Sequence, residues 1–276
     1  MNKTTAICLS TALALTGCGG SSGGAGGSNK LNVRYDISNY TAVESTSLTG
    51  TWVFIANGSE SDGYSGYSDA GTFSKKIFLI IRSINDQLRI SSCDDGFRSL
   101  TASNNNIVLP MNGQSYSVTD NNRITGAYSQ EFNDLNYENY SFEMVKVSND
   151  DSGLGTVSVD WSGLSSNTDF DESVIALCAE RRSRLDSDGD KTDLALFNIY
   201  TEEQSIELEK GVKWGENMDS VIIFSNQPSF KASTYSEQTA SVTYTDTTTA
   251  FTTTASGTSS TSGSASVSAS VQLPVQ

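Results

Sequence analysis

From residue 48 onward, apolar and polar positions alternate with a period of two, the spacing at which every second side chain of a strand faces the same way. In Thr51-Trp52-Val53-Phe54-Ile55-Ala56 the alternation puts Trp52, Phe54 and Ala56 on one face. Residues 73–84 carry the run Ile77-Phe78-Leu79-Ile80-Ile81, and the pair Asn85-Asp86 separates it from residues 87–93. A two-residue Asn-Asp link between such runs predicts a hairpin. Further strands are predicted over 106–109, 115–119, 123–129, 140–147 and 155–161, with Asn112-Gly113 and Asp120-Asn121-Asn122 as turns. About eight short strands with short links predict an antiparallel meander, and eight is roughly the number that closes into a small barrel holding side chains or one small ligand. The stretch 57–71, with Tyr64 and Tyr67, is long for a link between adjacent strands, which marks a functional loop or a solvated one.

The period changes over 168–185. Phe170, Val174, Leu177, Cys178 and Leu185 fall on one helical face, with Asp169 and Glu172 placed as a capping pair, so one helix is predicted there. A buried strand over 174–178 is the alternative, because a short apolar run does not decide between them. Strands return over 194–200, 205–208 and 220–224. More than half of residues 233–276 are Ser or Thr, and no charge follows Asp246. That composition suits a disordered tail. The alternation of Ala240, Val242 and Tyr244, and of Ala265, Val267, Ala269, Val271 and Leu273, favours paired strands instead, with Ser256-Gly257 and Ser262-Gly263 near the turns.

Composition narrows the chemistry. The 276 residues contain no His, so a Ser-His-Asp system, a His-ligated metal and a His proton shuttle are all excluded. A net charge of -15 argues against nucleic acid as a partner, since phosphate neutralisation needs clustered Lys and Arg. It argues equally against electrostatic attachment to anionic lipid headgroups. A glycosidase-type pair of carboxylates is compatible with the composition, but no pair stands out and no catalytic residue is assigned; the chain is expected not to be an enzyme.

The first residues have the layout of an export signal: Lys3 in a positive leader, then an apolar stretch over 6–15 that is too short for a lasting membrane helix. It ends in Leu15-Thr16-Gly17-Cys18, which resembles the signal of bacterial lipoproteins, whose cysteine is acylated and becomes the new N-terminus. The resemblance implies a signal over 1–17, a palmitate-type lipid on Cys18, and a membrane partner through that lipid. Gly19 at the following position implies the outer membrane of the cell envelope. Residues 18–44 then form the lipidated cysteine and a flexible Gly/Ser tether. With Cys8 lost and Cys18 acylated, Cys93 and Cys178 remain in a compartment that permits disulfides, and they are expected to pair; two buried free thiols are the alternative.

Leu48-Thr49-Gly50-Thr51-Trp52 resembles the Gly-X-Trp opening of lipocalin-like (calycin) barrels. The resemblance implies that the meander over 45–165 closes into a lipocalin-like barrel; with the helix and added strands read over 166–232 and the Ser/Thr-rich ribbon or tail over 233–276, the fold is expected to be mainly β. The resemblance also implies a small hydrophobic ligand, with Trp52 at the closed end and Tyr64 and Tyr67 at the mouth. The other expectation is a non-catalytic structural or interaction module that meets glycans or proteins through its polar surface. Asp186, Asp188, Asp190 and Asp193 place carboxylates as calcium needs them, although Lys191 and Phe197 depart from the EF-hand pattern. Calcium and a solvated acidic turn both fit this segment. No cofactor is required.

Overall fold

A computed structural model describes residues 34–274, apart from 65–66, 94–95, 104, 111–112, 120–121, 134–135, 164–168, 186–188, 225–228, 237 and 260–262. Of 62–64, 67–70, 132–133 and 136 it describes the backbone alone. The strands, in chain order, begin with β1 (Gly50–Tyr64), β2 (Tyr67–Ile84), β3 (Gln87–Ser92) and β4 (Gly96–Ser99). The short β5 (Thr101–Ser103), β6 (Asn106–Val108) and β7 (Ser115–Ser117) lead to β8 (Arg123–Asn133), β9 (Asn136–Ser148), β10 (Gly155–Ser162) and β11 (Phe170–Ser173). A run of β12 (Ala176–Leu185), β13 (Lys191–Tyr200), β14 (Ser205–Lys213), β15 (Glu216–Phe224) and β16 (Phe230–Ser233) follows. The chain finishes with β17 (Thr239–Asp246), β18 (Ala250–Ser259) and β19 (Gly263–Gln272).

Every pairing described is antiparallel. An 11-stranded sheet has the order β16-β15-β14-β13-β12-β2-β1-β9-β8, extended by β3 and β4 from the end of β2. A 5-stranded sheet runs β11-β10-β19-β18-β17, and β5, β6 and β7 form a small sheet of their own. The Asn85-Asp86 hairpin is present between β2 and β3, with both residues in the left-handed region at φ 53° and 60°, as a tight two-residue turn requires.

The closed lipocalin-like barrel is not what the chain builds. The large sheet ends at β8 on one side and β16 on the other. Its path is open because β10 leaves to pair with β19, while β12 takes the place beside β2. The 5-stranded sheet then packs on one face of the large one, giving a two-layer sandwich. The helix over 168–185 is also replaced, by β11 and β12. Ala176 and Leu177 are wholly buried, and β12 is hydrogen-bonded between β2 and β13, so long-range pairing overrides the local helical spacing. Among the described residues, helical structure is confined to the 3-10 turns Ile37–Asn39 and Thr234–Ser236. The stretch 57–71 is no loop over a mouth: β1 and β2 continue through it as one long hairpin, in register to Tyr64 opposite Tyr67.

The Ser/Thr-rich tract forms β17, β18 and β19, with the expected faces inward: Val242, Ala265, Val267, Ala269, Val271 and Leu273 are buried. Ser256-Gly257 is mid-strand and not a turn. Glycine is needed at 257 because a Cβ there would lie 2.6 Å from the Cβ of Ala232 on the facing sheet. Gly263, of the expected Ser262-Gly263 turn, opens β19 opposite Ser259, and Ser262 lies outside the described residues.

Two cores sit on opposite faces of the central strands. One lies between the sheets, where Val53, Ile55, Phe78 and Ile80 meet Val159, Phe251, Val267 and Val271. The other lies on the outer face, where Trp52, Phe54, Leu79, Ile81 and Met144 are covered by Ile90, Leu100, Ile107 and Leu109. Burial on both sides explains why residues 77–81 are apolar without interruption. The Cys93–Cys178 disulfide, with Cα atoms 6.0 Å apart, ties the turn after β3 to β12, and both cysteines pack against both cores. In the chain-entropy model a link across this span contributes about 4 to 5 kcal/mol. Replacing Cys93 and Cys178 together by Ala is therefore expected to lower the urea-unfolding free energy by about that amount; an unchanged denaturation midpoint would contradict it.

Candidate functional site

Strands β10, β17, β18 and β19 turn their alternate side chains away from the core in register. The rows read Thr245-Thr252-Ser270-Thr156, Thr243-Thr254-Ser268-Ser158, Ser241-Ser256-Ser266-Asp160 and Thr239-Thr258-Ser264-Ser162 across the four strands. Every position is a hydroxyl residue except Asp160. Neighbouring positions are about 4.8 Å apart across the strands and about 6.8 Å along them, from ideal strand geometry. Most of these side chains are exposed. Each hydroxyl offers one donor and two acceptor sites on a short side chain that loses little freedom when fixed. The face is thus a lattice of hydrogen-bonding groups whose charges lie along the β10–β11 edge, at Asp160 and at Asp171, which accepts from Ser158 at 3.1 Å. β-Branched Thr supplies the strand propensity that an all-Ser face would lack.

A second feature continues the Trp52 face of the large sheet toward the tip of the β1–β2 hairpin. Toward the tip the face turns from apolar to charged, with Glu60 on β1, Lys75 on β2, Glu138 on β9 and Glu180 and Arg182 on β12. Phe73 and Tyr140 meet edge to face at 5.9 Å across Gly58, which lies between them in register. The Lys75 ammonium donates to Glu138 at 2.9 Å and lies 3.6 Å from Glu180. Arg182 is paired with Glu180 and lies 3.3 Å from Glu60. Lys75, Glu138, Tyr140, Glu180 and Arg182 border a cleft of about 340 Å³ beside the disulfide. Burial raises the Glu60 carboxyl above its ordinary range, against the opposing pull of Arg182.

The inner face of the large sheet also carries charge. Lys76 and Arg181 point between the sheets toward Asp246 at the end of β17, with Tyr35 and Tyr244 beside them. On the opposite, outer face, in register with Trp52, Lys146 is also wholly buried, donating to Ser45 Oγ at 2.9 Å and to the Ser47 carbonyl at 2.8 Å, so it ties the segment before β1 to β9.

Of the residues expected from sequence to form sites, Cys93 and Cys178 are brought together, and several of the others lie outside the described residues. Cys18 lies outside the described residues. Trp52 is wholly buried, and its indole N–H donates to the Leu48 carbonyl at 2.8 Å, so it is spent on packing. Tyr64 and Tyr67 face each other in the backbone register at the hairpin tip. Asp186 and Asp188 lie outside the described residues. Asp193 accepts from Lys191 at 3.0 Å, and Asp190 borders Gly215 in the β14–β15 turn. Among the described residues no group of three His, Cys, Asp or Glu is placed to hold a metal. Sequence reasoning missed the Lys75 and Lys76 clusters. Their signal was two adjacent lysines at the entry to an apolar run, which in a strand must face opposite ways.

Because Glu60 titrates higher folded than unfolded, its contribution to stability is fully present below the unfolded value and is lost as pH rises through the folded one. Glu60→Gln should therefore raise stability relative to the parent more at neutral pH than at acid pH. Parallel denaturation curves across that range give the difference; one that grows toward acid pH would refute the assignment. No family model, curated protein or solved structure matches this chain.

Proposed function

We propose that this chain is a lipid-anchored envelope protein, held by acylated Cys18, whose β-sandwich serves as a non-catalytic module for contact with glycans. The observation that carries the proposal is the hydroxyl lattice of β10, β17, β18 and β19. Glycans display hydroxyls at regular intervals, and a regular grid of short donors and acceptors pairs with them with little desolvation of charge. In a protein of net charge -15, the β17, β18 and β19 columns of this face carry no charge, and Asp160 and Asp171 lie along its β10–β11 edge. The reading of a small hydrophobic ligand loses its support, because it needs a hollow barrel and the space beside Trp52 is filled by Ile90, Leu100, Ile107 and Leu109. The address rests on Leu15-Thr16-Gly17-Cys18 and the Gly/Ser tether, and the Cys93–Cys178 bond suits an oxidising compartment.

Retention on insoluble polysaccharides, with peptidoglycan sacculi and chitin as the probes, tests the module. The parent protein should be retained with little dependence on salt, since few ion pairs are involved. Thr254→Glu with Ser268→Glu, at the centre of the grid, should abolish retention while leaving the thermal midpoint near the parent's. Retention that disappears in high salt, or that survives both substitutions, would overturn the reading. For the anchor, feeding cells an alkyne-tagged palmitate should label the parent and leave Cys18→Ala unlabelled; equal labelling of both would remove Cys18 from the assignment.

A further inference from the structure

The structure assigns a covalent modification to the inner charge cluster: we propose that Lys76 and Asp246 join as an intramolecular amide, cross-linking the two sheets of the sandwich. The Lys76 Nζ is in direct contact with Asp246 Oδ1. Their side chains are 1% and 2% exposed. The Tyr35 and Phe78 rings wall the amine, each with its centroid 5.0 Å from Nζ. Held together in a dry site, the two groups have the proximity that replaces a bimolecular collision with an intramolecular step. Burial draws the Lys76 amine below its ordinary range, against the opposing pull of Asp246, which favours the uncharged nucleophile.

The other polar atoms of the cluster sit where the reaction and its product need them. Tyr35 donates its hydroxyl to Asp246 Oδ2 at 2.6 Å, and Arg181 Nη2 donates to the same oxygen at 3.0 Å. Burial, and then Asp246, raise the Tyr35 hydroxyl well above its ordinary range, so it stays a donor. Within the pair, the ammonium passes one proton to Oδ1. The amine nitrogen then attacks Cγ and the C–N bond forms, while Oδ2 takes up negative charge facing Tyr35 and Arg181. A second proton passes from nitrogen to Oδ1, the Cγ–Oδ1 bond breaks, and Oδ1 leaves as water. One ammonium and one carboxylate give one amide and one water, with no oxidant, no reductant and no change in net charge.

In the product, Oδ2 becomes the amide carbonyl and keeps both donors. The amide N–H keeps the Thr247 carbonyl, which Nζ already meets at 2.7 Å. Amide formation also removes a buried ion pair and its desolvation cost. Arg181, 15% exposed, remains charged at the edge of the cluster, donating to Tyr244 at 2.6 Å.

The test is a peptide map of the full mature chain, reduced, denatured and digested with trypsin. A linked chain resists cleavage after Lys76 and yields a branched peptide joining the Lys76 fragment to the one containing Asp246, lighter than their sum by one water. Recovery of the linear peptide ending at Lys76 from nearly all folded molecules would overturn the proposal. Asp246→Ala should restore that cleavage, and a branched peptide persisting in this variant would also overturn it. Tyr35→Phe removes one hydroxyl and keeps the ring, so it provides a variant that retains the packing if Asp246→Ala does not fold. It is expected to turn a nearly complete link into a minority of linked chains, and full linkage in Tyr35→Phe would remove Tyr35 from the reaction.

Discussion

The architecture depends on one constraint: β1 and β2 present large apolar side chains on both faces, so both faces must be covered. A strand pair of this kind is stable only at the middle of a sheet and in the middle of a stack of layers. β9 and β12 supply the lateral neighbours. The 5-stranded sheet covers Val53, Ile55, Phe78 and Ile80, while the turn and short strands from β3 to β7 cover Trp52, Phe54, Leu79 and Ile81. The disulfide sits where these two coverings meet, between the turn after β3 and β12. The connectivity follows from the same need. β10 and the three final strands are far apart in sequence and form one layer because only together are they wide enough to cap the inner face.

Much of this was legible. Alternation placed Trp52, Phe54 and Ala56 on one side, and the Asn85-Asp86 turn has both residues in the left-handed region. The Ser/Thr tract revealed its strands through Val242, Val267 and Val271, positions a disordered tail has no reason to keep apolar. The barrel was not excluded by the pattern, because a meander has the same periodicity in a closed sheet and an open one. Closure depends on whether the last strand returns to the first. Here the departure of β10 decides it, and nothing local to residues 155–162 announces a partner more than a hundred residues away. Over 168–185, helical spacing and strand burial produce the same short apolar run, and pairing with β2 settles the outcome.

The candidate site was legible in half. The Ser and Thr positions facing outward on β17, β18 and β19 are visible as the complement of the apolar ones. Thr156, Ser158 and Ser162 join them only through the β10–β19 register, which fixes the fourth column of the lattice. Trp52 illustrates the opposite error: a motif residue at a strand start is more often core than ligand contact, and its satisfied indole N–H shows where it is used. The pair Lys75-Lys76 held information that composition alone discards. Two adjacent cations in a strand covered on both sides send one charge into each layer, so each layer must supply carboxylates: Glu138 and Glu180 outside, Asp246 inside.

That division of charge bears on how the two layers stay in register. Sliding one sheet over the other by one residue pair would leave most of the small inward residues of β18 and β19 against apolar neighbours, at modest cost. It would take Lys76 and Arg181 away from the oxygens of Asp246 and Tyr244, and buried polar groups left without hydrogen-bond partners cost far more than imperfect packing. Gly257 against Ala232 adds a steric stop, since the backbone approaches there too closely for any Cβ. The alanine-, serine- and threonine-rich layer, too uniform to specify its own alignment, is therefore positioned by a single acid at the end of β17 and a single glycine in β18. The regular outer face follows from this: it is free to be repetitive because the inner face carries the information that fixes it.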